Sequence, residues 1–208
     1  MPQRCSTRHE RELRLLGFRA IAGVDEAGRG CLFGPVYAAA CILDPAKPIR
    51  GLDDSKKLDE ATRERLRMLI QERAAAWSVA WATAAEIDAI NILQASRLAM
   101  RRAVESLSLA ADHLLVDATT VDLPLPQRNL IHGDALSRSI AAASILAKTA
   151  RDARLREYDQ QYPAYGFARH KGYGAPEHLA ALDRFGPLPE HRFCYAPVRE
   201  RSQRTLFS

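Results

Sequence analysis

The chain has 208 residues, 47% of them hydrophobic and 26% charged, which suits a soluble globular protein with one substantial core or two small ones. No apolar run approaches the roughly 20 residues needed to span a bilayer, and residues 1–19 carry five arginines without the apolar segment of a secretory signal. The expectation is a cytoplasmic protein with no membrane partner. Its four cysteines, Cys5, Cys31, Cys41 and Cys194, show no C-x-x-C spacing, which excludes a zinc ribbon or a thioredoxin-type pair. A net charge of +5 points modestly to a polyanionic partner.

In chain order, Arg8 to Leu16 predicts a short basic helix ended by Gly17. Ala20 to Asp25 reads as the first strand and Val36 to Leu43 as a second, close enough for antiparallel pairing. Asp59 is a candidate N-cap for a helix running to about Ala76. Trp77 to Thr83 alternates as a third strand, and Ile92 to Leu109 has the period of an amphipathic helix. His113 to Val116 is a buried strand terminated by Asp117, and Asn129 to His132 is a short one. The longest helix is expected from Ser137 to about Gln160, alanine-rich and suited to lying close against a sheet. Beyond Pro163 the pattern changes to short helices, including Pro176 to Phe185. The whole predicts an α/β chain: a mixed β-sheet flanked by helices, with a helical C-terminal extension. It is read as one domain, residues 1–208, with a core at about 18–160, an extension at about 161–200 and a mobile tail at 201–208.

The chemistry-bearing stretch is Val24-Asp25-Glu26-Ala27-Gly28-Arg29-Gly30. Two adjacent acids inside a strand are costly unless partnered, whereas at a strand end they can hold a cation. Successive side chains of a strand point to opposite faces. Asp25 and Glu26 are therefore expected to share one cation only if the chain leaves strand geometry near Glu26. Asp117 and Asp134 sit at or just past strand ends in the same way, where the functional edge of an α/β sheet lies. Four carboxylates without histidine or cysteine suit hard cations, Mg²⁺ or Mn²⁺. Each aspartate alone reads as a strand-end cap; four together, in a basic protein, read as a site.

Four stretches, V-D-E-A-G-R-G (24–30), G-L-D-D-S-K-K-L (51–58), G-D-x-x-S-x-S-I-A-A-A-S-I-L-A-K (133–148) and Y-G-F-A-x-H-K-G-Y (165–173), resemble type 2 ribonuclease H, specifically ribonuclease HII. The resemblance runs from about residue 20 to about 200. It implies a ribonuclease H-like fold and a monomeric endonuclease. Its substrates would be the RNA strand of RNA–DNA hybrids and single ribonucleotides embedded in duplex DNA, cut on the 5′ side. Two divalent ions would act in phosphodiester hydrolysis, leaving 3′-OH and 5′-phosphate ends and serving ribonucleotide excision repair. The implied metal-binding and catalytic set is Asp25, Glu26, Asp117 and Asp134. One departure is Asp117-Ala118-Thr119, where the family more often has Asp-Gly. The 24 residues before Asp25 leave no room for the extra N-terminal domain of the related HIII type.

Telling RNA from DNA requires close approach to the 2′-hydroxyl, and Gly28 and Gly30 lack the side chains that would prevent it. The resemblance assigns Gly28, Arg29 and Gly30 to reading that hydroxyl and Tyr173 to packing on the following sugar. Ser55, Lys56, Lys57, Ser144, Lys148, Arg169 and Lys171 are candidate substrate contacts. His170, His178 and His191 either line the groove or pack. Two other readings compete. A dinucleotide site would need a glycine at position 33, which is Phe33, and fails. A non-catalytic nucleic-acid binder, its acids structural, is separated by divalent-ion dependence. At the C-terminus, Gln203 to Phe207 is similar to the peptide by which repair enzymes hold a sliding clamp; the alternative is that Leu206 and Phe207 fold onto the protein's own core.

Overall fold

The computed structural model describes residues 5–205. Five strands, β1 (Ile21–Ala27), β2 (Val36–Ile42), β3 (Ala76–Ala82), β4 (His113–Asp117) and β5 (Gln127–Leu130), form one sheet in the order β3-β2-β1-β4-β5. The β3-β2-β1 side is antiparallel, while β1-β4 and β4-β5 are parallel. This is the expected mixed sheet. β5 lies two residues earlier than its apolar tip suggested, because Gln127 already pairs with Leu114.

Helices cover both faces. Helix α1 (Arg8–Leu15) precedes β1 and closes a smaller cluster in which its Leu13 joins Ile21, Leu115 and Ile140. Helix α2 (Glu60–Arg73) starts from the Asp59 carboxylate, which accepts from the Thr62 amide at 2.7 Å. It stops before Ala76, since Ala75 N–H is drawn into a bond with the Ile42 carbonyl that begins β3. Helix α3 (Ala84–Glu105) packs Ala95, Ala99, Met100 and Ala103 on one face of the sheet, against Val24, Val36, Ala38 and Val116. The expected helix from Ile92 is only its second segment. Thr83 opens a first segment with a reciprocal cap to Glu86, and Asn91, at φ +66°, breaks the pair. The Asn91 side chain accepts from the amides of Leu93 and Gln94, so it ends one segment and caps the next. That half was hidden because Ala84-Ala85-Glu86 carries little apolar pattern.

On the other face, the short helix α4 (Gly133–Leu136) leads into α5 (Arg138–Gln161), capped by Ser137. Its alanines 141, 142, 143 and 147 are buried with Ala39, Cys41, Leu66 and Ile70. The approach is close enough that a Cβ on Gly23 would lie 2.0 Å from the Ser139 carbonyl carbon. Glycine at position 23 is therefore what lets α5 rest on β1.

The C-terminal extension comprises a 3-10 turn (Pro163–Tyr165), α6 (Phe167–His170), α7 (Pro176–Phe185) and α8 (Ala196–Thr205). It packs on the end of α5 through Leu155, Tyr158 and Phe167, with Phe33 stacked on Phe167 at 3.9 Å between ring centroids. Helix α8 continues to Thr205, into the stretch expected as a tail from residue 201. Gln203 is exposed, whereas Leu206 and Phe207 of the clamp-like motif lie outside the described residues. No helix among the described residues is long and apolar enough to cross a membrane.

Candidate active site at the open end of the sheet

The β1–β4 ladder ends at the pair Val24–Val116, and the next residue of each strand is an aspartate. Asp25 and Asp117 thus lie where the two parallel strands stop bonding to one another. β1 itself does not stop there. Its antiparallel ladder with β2 continues through Glu26–Ala38 to Ala27–Tyr37. The break expected from Ala27-Gly28-Arg29-Gly30 comes at Gly28, φ +96°, and pairing with β2 keeps Glu26 itself inside the strand. Asp25 and Glu26 are consequently presented from opposite faces of β1, and Glu26 joins the site through its neighbours Arg29 and Asp117.

Each carboxylate is fixed locally. Asp25 is 5% exposed and accepts from the Glu26 amide at 2.7 Å. Asp117 accepts from the Gly133 amide at 2.7 Å, which ties the end of β4 to the start of α4. Asp134 accepts from the Ala135 amide at 2.9 Å. Glu26 pairs with Arg29 at 3.2 Å through one oxygen, while its other oxygen is buried without a partner. The Asp25 carboxyl is held well above the usual range by burial first, then by Glu26 and Asp117. Burial and the Asp117 charge likewise raise Glu26 against the opposing pull of Arg29, and burial, Asp54 and Asp117 raise Asp134. Lys56 is raised: burial opposes its charge, but Asp134, Asp54, Asp25 and Asp117 outweigh it.

Asp117 is the common neighbour in this set. Among the described residues, no three His, Cys, Asp or Glu side chains already enclose a point that would hold a metal ion. The residues nevertheless fit one in kind: all donors are oxygens, the carboxylates repel one another, and a buried Glu26 oxygen lacks any partner. Ala118, the departure from Asp-Gly, sits at φ +50°, a left-handed conformation that glycine adopts at lower cost.

A cleft of about 480 Å³ opens beside the acids. It brings together Asp25, Glu26, Gly28, Arg29, Gly30, Ser55, Lys56, Ser144, Lys148 and Tyr173, all named from the sequence, with Ala27, Arg63 and Arg151. Ser55 and Ser144 bond to each other at 2.9 Å. Lys148 pairs with Asp152 at 2.7 Å, and burial lowers its pKa despite that partner. Five candidates do not line the cleft. Asp117 and Asp134 adjoin it, their charges acting on Asp25 and Lys56 of its wall. Lys57 is exposed and faces Asp53 at 3.5 Å. Arg169 is exposed on α6. Lys171 contributes its backbone carbonyl, which accepts from Arg151. Sequence reasoning missed Asp54, Arg63 and Arg151. Asp54 stood inside a quoted motif without a role, and neither arginine belongs to a motif that singles it out.

Residues 22–197 match the family model for Ribonuclease HII. The chain belongs to the ribonuclease HII family. It is 57% identical over 200 residues to the Ribonuclease HII of Solibacter usitatus (strain Ellin6076), across 96% of this chain and 88% of that one. It is 58% identical over 193 residues to the Ribonuclease HII of Geobacillus thermodenitrificans (strain NG80-2), across 93% of this chain and 74% of that one. Its fold matches the ribonuclease H2 from Pyrococcus horikoshii OT3 with a TM-score of 0.76 and 26% identity, covering 91% of this chain and 100% of that one. Family membership makes the protein a ribonuclease H-type nuclease, a hydrolase.

Within this ribonuclease HII fold the three C-terminal histidines pack rather than line the cleft. His178 and His191 are fully buried, their Nε2 atoms 3.0 Å apart. The Leu188 amide donates to His191 Nδ1 at 2.8 Å, so the His191 proton is on Nε2 and is donated to His178. His178 in turn donates from Nδ1 to the Tyr173 carbonyl at 2.8 Å. His170 stacks on His178 at 4.5 Å and donates from Nε2 to the Tyr165 carbonyl at 2.7 Å. This chain of hydrogen bonds holds the loop that carries Tyr173.

Burial, opposed in part by the Tyr173 carbonyl, depresses His178 to about 4, and burial with the His178 neighbour depresses His191 to about 3. Both sit below the ordinary imidazole value, so the unfolded chain takes up protons first. Their contribution to stability is complete above about pH 6.5 and is lost as pH falls toward 4. The loss is on the order of 3 kcal/mol for each. Thermal melts from pH 7 to 4 are expected to show this decline, and it should be shallower in His191→Gln. Equal slopes for the two proteins would assign the acid sensitivity elsewhere.

Proposed function

We propose that this chain hydrolyses the RNA strand of RNA–DNA hybrids and cuts on the 5′ side of single ribonucleotides in duplex DNA. Two Mg²⁺ or Mn²⁺ ions would be held by Asp25, Glu26, Asp117 and Asp134. The observation that carries this reading is the union, in one cleft, of the strand-end carboxylates Asp25 and Glu26 with the turn Gly28-Arg29-Gly30, whose two glycines leave its backbone open, and a half-exposed tyrosine. When bound, the ions would supply activation of water and stabilisation of the leaving oxygen. The chain's own residues do the rest. Asp25 and Asp117 provide negative charge at fixed positions, each held by a backbone amide, and Asp25 by the Ser144 hydroxyl as well. Lys56, Arg63 and Lys148 present positive charge along the cleft wall for the phosphate backbone. A Cβ on Gly30 would lie 3.7 Å from the Tyr173 ring, so the turn and the tyrosine stand side by side on the cleft wall, with room for about one methyl group between them.

Tyr173 is 47% exposed, with the Arg151 guanidinium 5.3 Å from its ring centroid. An aromatic supported from behind and open in front is suited to packing on a sugar. Tyr173→Ala is expected to lower kcat/KM at a lone ribonucleotide by about tenfold more than on a long hybrid. In the hybrid, neighbouring 2′-hydroxyls offer alternative registers. Equal losses on both substrates would make Tyr173 a packing residue only. The reading as a whole is tested by incubating the protein with an RNA–DNA hybrid and Mn²⁺ or Mg²⁺. Cleavage silenced by chelator supports it, and binding without cleavage under either ion returns the protein to the class of binders.

A further inference from the structure

Arg192 is the largest fully buried side chain of the protein, and no carboxylate pairs with it among the described residues. Removing a guanidinium from water without a counter-ion is expensive, and an alanine or leucine there would cost nothing of the kind. What it touches explains its presence. Its Nε donates to the Gly34 carbonyl at 2.9 Å, and one terminal nitrogen donates to the Arg29 carbonyl at 2.8 Å. The Tyr195 hydroxyl donates to the same Arg29 carbonyl at 2.5 Å. The Arg192 amide bonds to the Leu32 carbonyl, and the Glu190 carbonyl accepts from Gly34. The extension therefore grips the loop 28–34 from behind, with two donors converging on one oxygen.

That oxygen belongs to the Arg29–Gly30 peptide. No peptide of the described chain is cis, and in a trans peptide the C=O and N–H point in opposite directions. Pinning the Arg29 carbonyl inward turns the Gly30 N–H the other way. Gly30 lines the cleft, lies against Tyr173, and its amide makes no hydrogen bond within the described residues. Gly30 would otherwise let this peptide flip at low cost, since its φ is free to take either sign.

We propose that Arg192 and Tyr195 are positioning residues for sugar discrimination, holding the Arg29–Gly30 peptide so that the Gly30 N–H faces the ribose 2′-oxygen as a preformed donor. The inference rests on the proposed cleavage at ribonucleotides. A donor fixed before binding costs no reorganisation when the ribose arrives, and a deoxyribose offers it no acceptor. Neither residue touches the nucleic acid in this account. Their effect is transmitted through one carbonyl.

The test compares wild type with Tyr195→Phe, which keeps the ring and removes one donor, and with Arg192→Lys, which keeps the charge and loses the two-point grip. Two quantities are measured under Mn²⁺: kcat/KM on a duplex with one ribonucleotide, and the inhibition constant of the all-DNA duplex of the same sequence as a competitor. Thermal melting checks the fold. The expected result is a fall in kcat/KM of about fivefold for Tyr195→Phe and more for Arg192→Lys, with the all-DNA inhibition constant unchanged. Parallel changes in both quantities would show a general structural role and overturn the proposal. So would a kcat/KM unchanged in Tyr195→Phe, which decides the matter if Arg192→Lys melts early. If wild type itself fails to cleave the ribonucleotide duplex, it is the parent reading that fails.

Discussion

Asp117→Asn is expected to reduce cleavage by about a thousandfold or more while leaving the protein folded. The amide keeps a carbonyl oxygen where Asp117 now accepts from the Gly133 amide at 2.7 Å, so the link between β4 and α4 survives. What disappears is the charge that raises Asp25, Glu26 and Asp134 together. An acid whose pKa is raised in the fold favours folding most when protonated, and that contribution is lost as pH rises through the folded pKa. At neutral pH the clustered carboxylates therefore weaken the fold, and relieving them should leave the melting temperature unchanged or higher. Steady-state cleavage at saturating Mg²⁺ together with a thermal melt checks both halves. Near-normal cleavage would remove Asp117 from the catalytic set, and a sharp drop in melting temperature would make its role structural.

Gly23→Ala is expected to destabilise the protein by about 3 kcal/mol or more, lowering the melting temperature by roughly 10 °C for a chain of this size. The added methyl would meet backbone, 2.0 Å from the Ser139 carbonyl carbon and 2.3 Å from the Ile140 nitrogen, which no rotamer change can relieve. Either β1 or the start of α5 must move. Since α5 carries Ser144, Lys148 and Arg151 into the cleft, activity should fall with stability even at temperatures where the variant stays folded. Circular-dichroism melts with cleavage rates at 20 °C check this. A melting temperature within a degree or two of wild type would mean that α5 floats on the sheet more freely than its contacts indicate.

The acids were legible in the sequence because strand ends announce themselves: apolar runs stop, and Asp25, Asp117 and Asp134 stand at the stops. The alanine-rich stretch read as a close-packed helix for the same local reason, and α5 lies on β1 as that composition implies. What escaped was set by partners distant in sequence. Glu26 stays in the strand because β2 pairs with it up to Tyr37, a constraint no window around residue 26 contains. Half of α3 is held by a capping box and an asparagine break rather than by periodicity. Arg151 and Arg192 carry no sequence signal that assigns them a role, yet both are buried, and their roles are visible only once the carbonyls of Lys171 and Arg29 are placed beside them. The buried His178–His191 pair likewise joins residues thirteen apart, through a fold of the extension that sequence spacing does not specify.

The central claim is that strand-end carboxylates and the Gly28–Gly30 turn form one site that cuts at a ribonucleotide. It is tested most directly by mapping the cut in a DNA duplex carrying a single ribonucleotide, with Mn²⁺ or Mg²⁺ and with chelator. The account predicts one metal-dependent break at the phosphodiester on the 5′ side of the ribonucleotide, leaving 3′-OH and 5′-phosphate ends. Equal cutting of the all-DNA duplex, breaks that persist in chelator, or no break at all at that position would contradict it.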